Sequence, residues 1–252
     1  MNLEPTASVR EFATSIPTAT RIFEQLGIDY CCGGNQTLGD ACARAGLSLE
    51  TVLERLQEGE SAEHQLSSVP LHAEASGLAS LVEYIVTRHH GYVKQEIPRL
   101  QRLLKKVVGV HGKGHPELLV IQESFHALAA EMTLHMMKEE NVLFPYIIEL
   151  EKAAQEGKTP RKPMFGTVAN PVHMMELEHE SSGEGLKRMH EASSAYTPPE
   201  NACFSYRTLY AALVEFEADM HQHIHLENNI LFPRAIKIEE QSREVATAGA
   251  KA

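Results

Sequence analysis

Histidine and glutamate four residues apart on a helix present an imidazole and a carboxylate to one point, and this sequence contains that unit twice. His135-x-x-x-Glu139 runs on into Asn141-Val142-Leu143-Phe144-Pro145, and His223-x-x-x-Glu227 into Asn229-Ile230-Leu231-Phe232-Pro233. Two such helices facing one another enclose a site for metal. The other residues with chemistry to offer are the adjacent thiols of Asp29-Tyr30-Cys31-Cys32-Gly33-Gly34. These lie in a turn between two short helices, where glycine amides and a helix N-terminus can depress a thiol pKa and make thiolate available for metal, nitric oxide or disulfide chemistry.

The elements that must carry these groups are helices, and the chain is expected to be all-α. Residues 1–58 read as a small helical domain punctuated by Pro17, Gly27 and Gly33-Gly34, with Thr37 and Ser48 at N-cap positions. Residues 59–74 are polar and lose helical periodicity, as a linker does. Residues 75–240 hold four long periodic segments, roughly 75–109, 116–152, 171–196 and 201–239, the pattern of an up-down-up-down four-helix bundle. The tail, 241–252, reads as disordered.

Periodicity selects which of the 14 histidines face inward. The second segment carries an unbroken seam at Leu118, Ile121, Phe125, Leu128, Met132, His135, Glu139 and Val142. The fourth repeats it at Leu209, Leu213, Phe216, Met220, His223, Glu227 and Ile230, leaving His221 and His225 beside the seam. Val86, His90, Val93 and Ile97 favour His90 over His89, and Val172, Met175, His179, Ser182 and Leu186 select His179. At 1.5 Å rise per residue, His90 and His135 each stand about 28 Å from the turn that joins their helices, so they lie level. His179 and His223 match in the same way.

Four imidazoles and two carboxylates thus meet in one layer. Buried without partners they would cost several kcal/mol per charged group. Six ligands are too many for one tetrahedral zinc and suit two ions, each with two histidines, bridged by both glutamates. A dinuclear iron centre with room for an oxo or hydroxo bridge fits best. Glu131, one turn before His135, and Glu178, beside His179, are candidates to hold imidazole protons. His64, His72, His111, His115, His126, His173, His190, His221 and His225 read as surface groups, and Cys42 and Cys203 as free thiols.

Composition narrows the function further. A net charge of −11 argues against nucleic acid as a partner. No apolar run spans a bilayer, and the N-terminus lacks signal-peptide features, so a soluble cytoplasmic protein is expected.

The chain resembles the bacterial repair-of-iron-centres family, di-iron proteins that restore iron–sulfur clusters after nitrosative and oxidative damage. The likeness spans nearly the whole chain. It rests on Asp29-Tyr30-Cys31-Cys32-Gly33-Gly34, on the two His-x-x-x-Glu units with Leu-Phe-Pro, and on Glu176-Leu177-Glu178-His179. It implies a hemerythrin-like bundle, two non-haem irons on His90, His135, Glu139, His179, His223 and Glu227, and a thiol site at Cys31 and Cys32. It implies clients that are damaged iron–sulfur proteins, served by a monomer or homodimer. An iron donor is expected ahead of a turnover enzyme. The alternatives are a nitric oxide or peroxide reductase at the same centre and a hemerythrin-like sensor of oxygen or nitric oxide.

Overall fold

The computed structural model describes residues 6–16, 18–62 and 77–249, and every regular element among them is helical. Four short helices form the head: α1 (Val9–Ser15), α2 (Ala19–Leu26), α3 (Leu38–Ala45) and α4 (Leu49–Ala62). Their ends follow from local chemistry. Ser8 and Glu11 make a reciprocal capping box at the start of α1, and the Thr37 hydroxyl accepts from Asp40 N to start α3. Gly27 and Gly46 close α2 and α3 with φ of 67° and 68°, a conformation that favours glycine. Phe12, Phe23, Tyr30, Leu38, Val52 and Leu56 form the head's own core.

Helix α4 continues to Ala62, past position 59 where the sequence places the linker's start. Glu58, Glu60 and Ala62 are good helix formers and carry the helix through Gly59. The remainder of the expected linker, with His64 and His72, lies outside the described residues.

The bundle's first helix comprises α5 (Leu78–Tyr84), a π turn (Ile85–His90) and α6 (Gly91–His111). Its second comprises α7 (Glu117–Lys138), a π turn (Glu139–Leu143) and α8 (Phe144–Gln155). The third is α9 (Ala169–Ala192), and the fourth comprises α10 (Phe204–Leu226), a π turn (Glu227–Leu231) and α11 (Phe232–Gly249). Helix α7 packs between α6 and α9, and α10 closes the ring against the same two, which gives the up-down-up-down order. Glu151 near the end of α8 accepts from Leu78 N (2.6 Å) and Ala79 N (2.9 Å), capping the start of α5. None of these helices is long and apolar enough to cross a membrane.

The fourth helix runs on to Gly249, where the sequence reads as disorder from 241. Buried Glu239 anchors it, accepting from Tyr146 Oη (2.8 Å) and Val168 N (3.1 Å). The following residues include alanine, glutamate and arginine, which favour continued helix once a turn is pinned.

The apolar interior of the bundle is divided in two. One cluster holds Leu104, Phe125, Met132, Phe216 and Met220, and the other Ile85, Phe144, Met175, Leu226 and Phe232. The histidine and glutamate layer lies between them. Phe216 is fully buried and meets Phe125 edge-on, ring centroids 5.4 Å apart. Truncation to alanine at Phe216 is expected to cost about 3–5 kcal/mol, read as a fall in the urea midpoint.

Candidate metal centre

Three π turns occur at the same height in the bundle, and each carries or adjoins residues of the polar layer. His90 ends the first, Glu139 opens the second and Glu227 opens the third. A π turn spends an extra residue per turn and shifts the phase of everything beyond it. The inward seam therefore passes from Glu139 to Leu143, which is buried, and leaves Val142 half-exposed, contrary to the extrapolated seam. The same shift buries Ile85 instead of Val86.

All six residues selected by periodicity come together, none more than 1% exposed. They form two overlapping sets: His90 and His223 with both glutamates, and His135 and His179 with both glutamates. Nε2 of His90 lies 3.1 Å from Nε2 of His223, and Nε2 of His135 lies 3.0 Å from that of His179. Metal–nitrogen bonds of about 2.1 Å at right angles put two ligand nitrogens about 3.0 Å apart, so each pair has the spacing of neighbours on one ion. Glu139 Oε2 stands 3.4 Å from His90 Nε2 and 3.3 Å from His135 Nε2. Glu227 reaches the two sets with different oxygens, Oε1 2.9 Å from His223 Nε2 and Oε2 3.1 Å from His179 Nε2.

The fit to metal rests on atoms that the protein leaves unsatisfied. Both oxygens of Glu139 and Oε2 of Glu227 are buried without a hydrogen bond, the latter at ion-pair distance from His179 but off the hydrogen-bond direction. Electrostatics follow the same geometry. Burial works against charge on His90, yet Glu139 and Glu227 outweigh it and push its pKa up to about 10. His135 is likewise pushed up to about 9 against its burial, chiefly by Glu139. His223 goes the other way, lowered by burial and by its neighbour His90. Burial would raise both carboxyls, and Glu227 adds repulsion at Glu139, but the surrounding imidazoles hold both below the ordinary range.

A second layer fixes the imidazoles. His90 Nδ1 pairs with Glu140 Oε1 (2.7 Å), which also takes Lys94 Nζ, and His135 Nδ1 pairs with Glu178 Oε2 (2.9 Å), whose other oxygen takes Lys138 Nζ. His179 Nδ1 pairs with Asn228 Oδ1 (2.8 Å). Glu178 thus meets an imidazole, that of His135 on another helix and not that of His179 beside it, whereas Glu131 is exposed and accepts from Ser181 Oγ instead. One residue off the facing direction is enough to turn its carboxylate to solvent. Replacing Glu178 or Glu140 by alanine is expected to weaken metal binding about 10–100-fold, measured by competition with a chelator.

Two histidines that the seams leave aside are buried: His89, passed over for His90, and His225, read as a surface group. His89 lies on the far side of His223, ring planes 10° apart, with Nδ1 3.1 Å from buried Asp219. Asp219, His223 and Glu227 follow at four-residue steps, a signal available in the sequence. His225 is covered by the head: its Nδ1 meets Asn229 Nδ2 (2.9 Å) and its ring packs against Tyr30. Burial lowers its pKa to about 4. His126, His173 and His190 are exposed as expected, while His111, His115 and His221 are partly covered.

The thiols sit beside the layer. Asp29 Oδ1 accepts from Cys31 N (3.1 Å) and Cys32 N (2.9 Å), shaping the turn, and Cys32 Sγ lies 3.6 Å from His179 O. Cys31 is buried, with Sγ 3.9 Å from Cys32 Sγ. Its pKa is raised well above the ordinary thiol value, by the neighbouring thiol, by burial and by Asp29. The expected depression of thiol pKa is therefore reversed at Cys31, because the Cys32 thiol, burial and the Asp29 carboxylate 3.4 Å from its sulfur all disfavour the thiolate. Cys42 is buried in the head core, and Cys203 is exposed beside His111.

Comparison with known proteins places this arrangement. Residues 81–235 match the hemerythrin HHE cation binding domain, and residues 5–60 match a domain of unknown function, ScdA_N. The chain is 36% identical over 233 residues to the iron-sulfur cluster repair protein YtfE of Pectobacterium atrosepticum, covering 91% of this chain and 96% of that protein. It belongs to the family of iron-sulfur cluster repair proteins. A probable iron-sulfur cluster repair protein of Haemophilus influenzae is 32% identical over 226 residues, 90% of this chain and 95% of its own length. A Yersinia pestis YtfE is 34% identical over 230 residues, 91% and 96%. In this chain the buried histidine–glutamate layer falls inside the stretch that matches the cation-binding domain, and the cysteine turn inside the stretch that matches the smaller one.

Proposed function

We propose that this chain repairs damaged iron–sulfur clusters in client proteins of the cytoplasm by donating ferrous iron. His90 and His223 would hold one iron ion and His135 and His179 a second, with Glu139 and Glu227 available to both. The observation that carries this reading is that both carboxylates belong to both ligand sets. When bound, the pair supplies ferrous iron that leaves its ligands reversibly. Two imidazoles and shared carboxylates give only moderate affinity for ferrous iron, which suits a donor better than a permanent catalyst. The protein's own groups hold the cargo, keep the imidazoles oriented through Glu140, Glu178 and Asn228, and exclude water by burial of the whole layer. The names of the relatives support the repair role, and the nearness of Cys32 to His179 supports an exit toward the head.

The test loads the full chain anaerobically with iron-57 and mixes it with an iron–sulfur enzyme whose cluster has been degraded by nitric oxide. Recovery of client activity with iron-57 in the rebuilt cluster supports donation. Nitrous oxide formed from nitric oxide and an electron donor, with no iron-57 transferred, would replace donation with reduction.

A further inference from the structure

Three of the four inward imidazoles have an Nδ1 partner, and the partners differ in what holds them. Glu140 and Glu178 accept from His90 and His135 and are tied back to Lys94 and Lys138, all within the bundle. Asn228 accepts from His179 and is tied to the head: its Nδ2 donates to Cys31 O at 3.4 Å, and Arg10 donates to its backbone carbonyl at 3.2 Å. The next residue strengthens the joint. Asn229 Nδ2 donates to Tyr30 O (2.9 Å), and Asn229 Oδ1 accepts from Arg10 Nε (2.7 Å). Gly34 allows the approach, since a Cβ there would fall 2.8 Å from Asn229 Oδ1.

The repeat explains why the residue is an amide. Position 228 in the second unit corresponds to Glu140 in the first, each one residue after the bridging glutamate. A carboxylate can only accept, whereas a carboxamide accepts from His179 and donates to Cys31 O in the same geometry. We infer that Asn228 is a positioning residue that couples docking of the head to the grip on the ion held by His135 and His179, so that displacing the head loosens that ion selectively. The inference rests on the iron-donor reading and adds which ion leaves and what releases it. Linkage requires the reverse effect as well: metal on His179 tightens the head.

The experiment follows ferrous iron leaving the loaded full-length protein into a chromogenic chelator, for the wild type, Arg10→Ala, Asn228→Ala and the double variant. Loss of an outer partner typically weakens metal binding about 10–100-fold, so each single variant should speed release of one of the two ions by about tenfold or more and leave the other unchanged. The double variant should be no faster than Asn228→Ala alone. Effects that multiply in the double variant, or equal acceleration of both ions, would overturn the coupling. Amide hydrogen exchange gives a readout that needs no iron chemistry: zinc loading should raise protection across residues 29–34 in the wild type but not in Asn228→Ala. The same gain in both would sink the inference. A wild type that binds two metal ions without this coupling would refute the role of Asn228 alone, whereas one that binds none would refute the metal reading with it.

Discussion

Glu139→Leu is expected to release both metal ions from the chain, not one. Glu139 Oε2 lies 3.4 Å from His90 Nε2 and 3.3 Å from His135 Nε2, so the carboxylate serves each ligand set equally. Replacing His223 instead removes a ligand from only one set, and that variant should keep the ion held by His135 and His179. Metal per chain, measured by plasma mass spectrometry after anaerobic loading, separates the two results. The leucine variant also carries a stability signature. Glu139 Oε2 stands at ion-pair distance from His90 and His135 and pushes the pKa of both upward, and removing one partner of a buried charge cluster destabilises, whereas replacing all partners together need not. Stripped of metal, Glu139→Leu should therefore melt below stripped wild type while staying folded at the loading temperature. A variant already unfolded at that temperature would lose metal for that reason alone.

Removing metal from the wild type is expected to lower its melting temperature by about 10 °C. A ligand present at about 1,000 times its dissociation constant stabilises the folded state by about 4 kcal/mol. For a chain of this size each kcal/mol moves the midpoint by about 2–4 °C. The effect should be concentrated in the bundle, because all six proposed ligands lie there and the layer separates its two apolar clusters. Differential scanning calorimetry of loaded and chelator-treated protein checks it, and an unchanged midpoint would mean that the layer is held by its own hydrogen bonds.

The sequence carried the four long helices and the six residues of the layer because both depend on a repeat that needs no tertiary information. Steps of three and four residues put His135 with Glu139 and His223 with Glu227 on one face, and the choice of His90 over His89 followed from the same count. The π turns were not legible, since they change backbone hydrogen bonding and not composition, and they moved the seam from Val142 to Leu143. The outer partners were partly legible. Glu178 stands out in the sequence because it precedes an inward histidine by one residue, but like Glu140 and Asn228 it acts on an imidazole from another helix, which only packing decides. His225 was misplaced for a related reason: the side of α10 that bears it is covered by the head, and nothing in the periodicity of either part announces that contact. The continuation of α11 to Gly249 depended on Glu239 reaching Tyr146 and Val168, again a long-range bond.

The measurement that bears most directly on the central claim is the metal content of anaerobically purified chain together with its Mössbauer spectrum. Two irons per chain with the spectrum of a coupled high-spin pair, both absent from Glu139→Leu, is the result this account predicts. A single zinc or a single uncoupled iron, retained in Glu139→Leu, would contradict it.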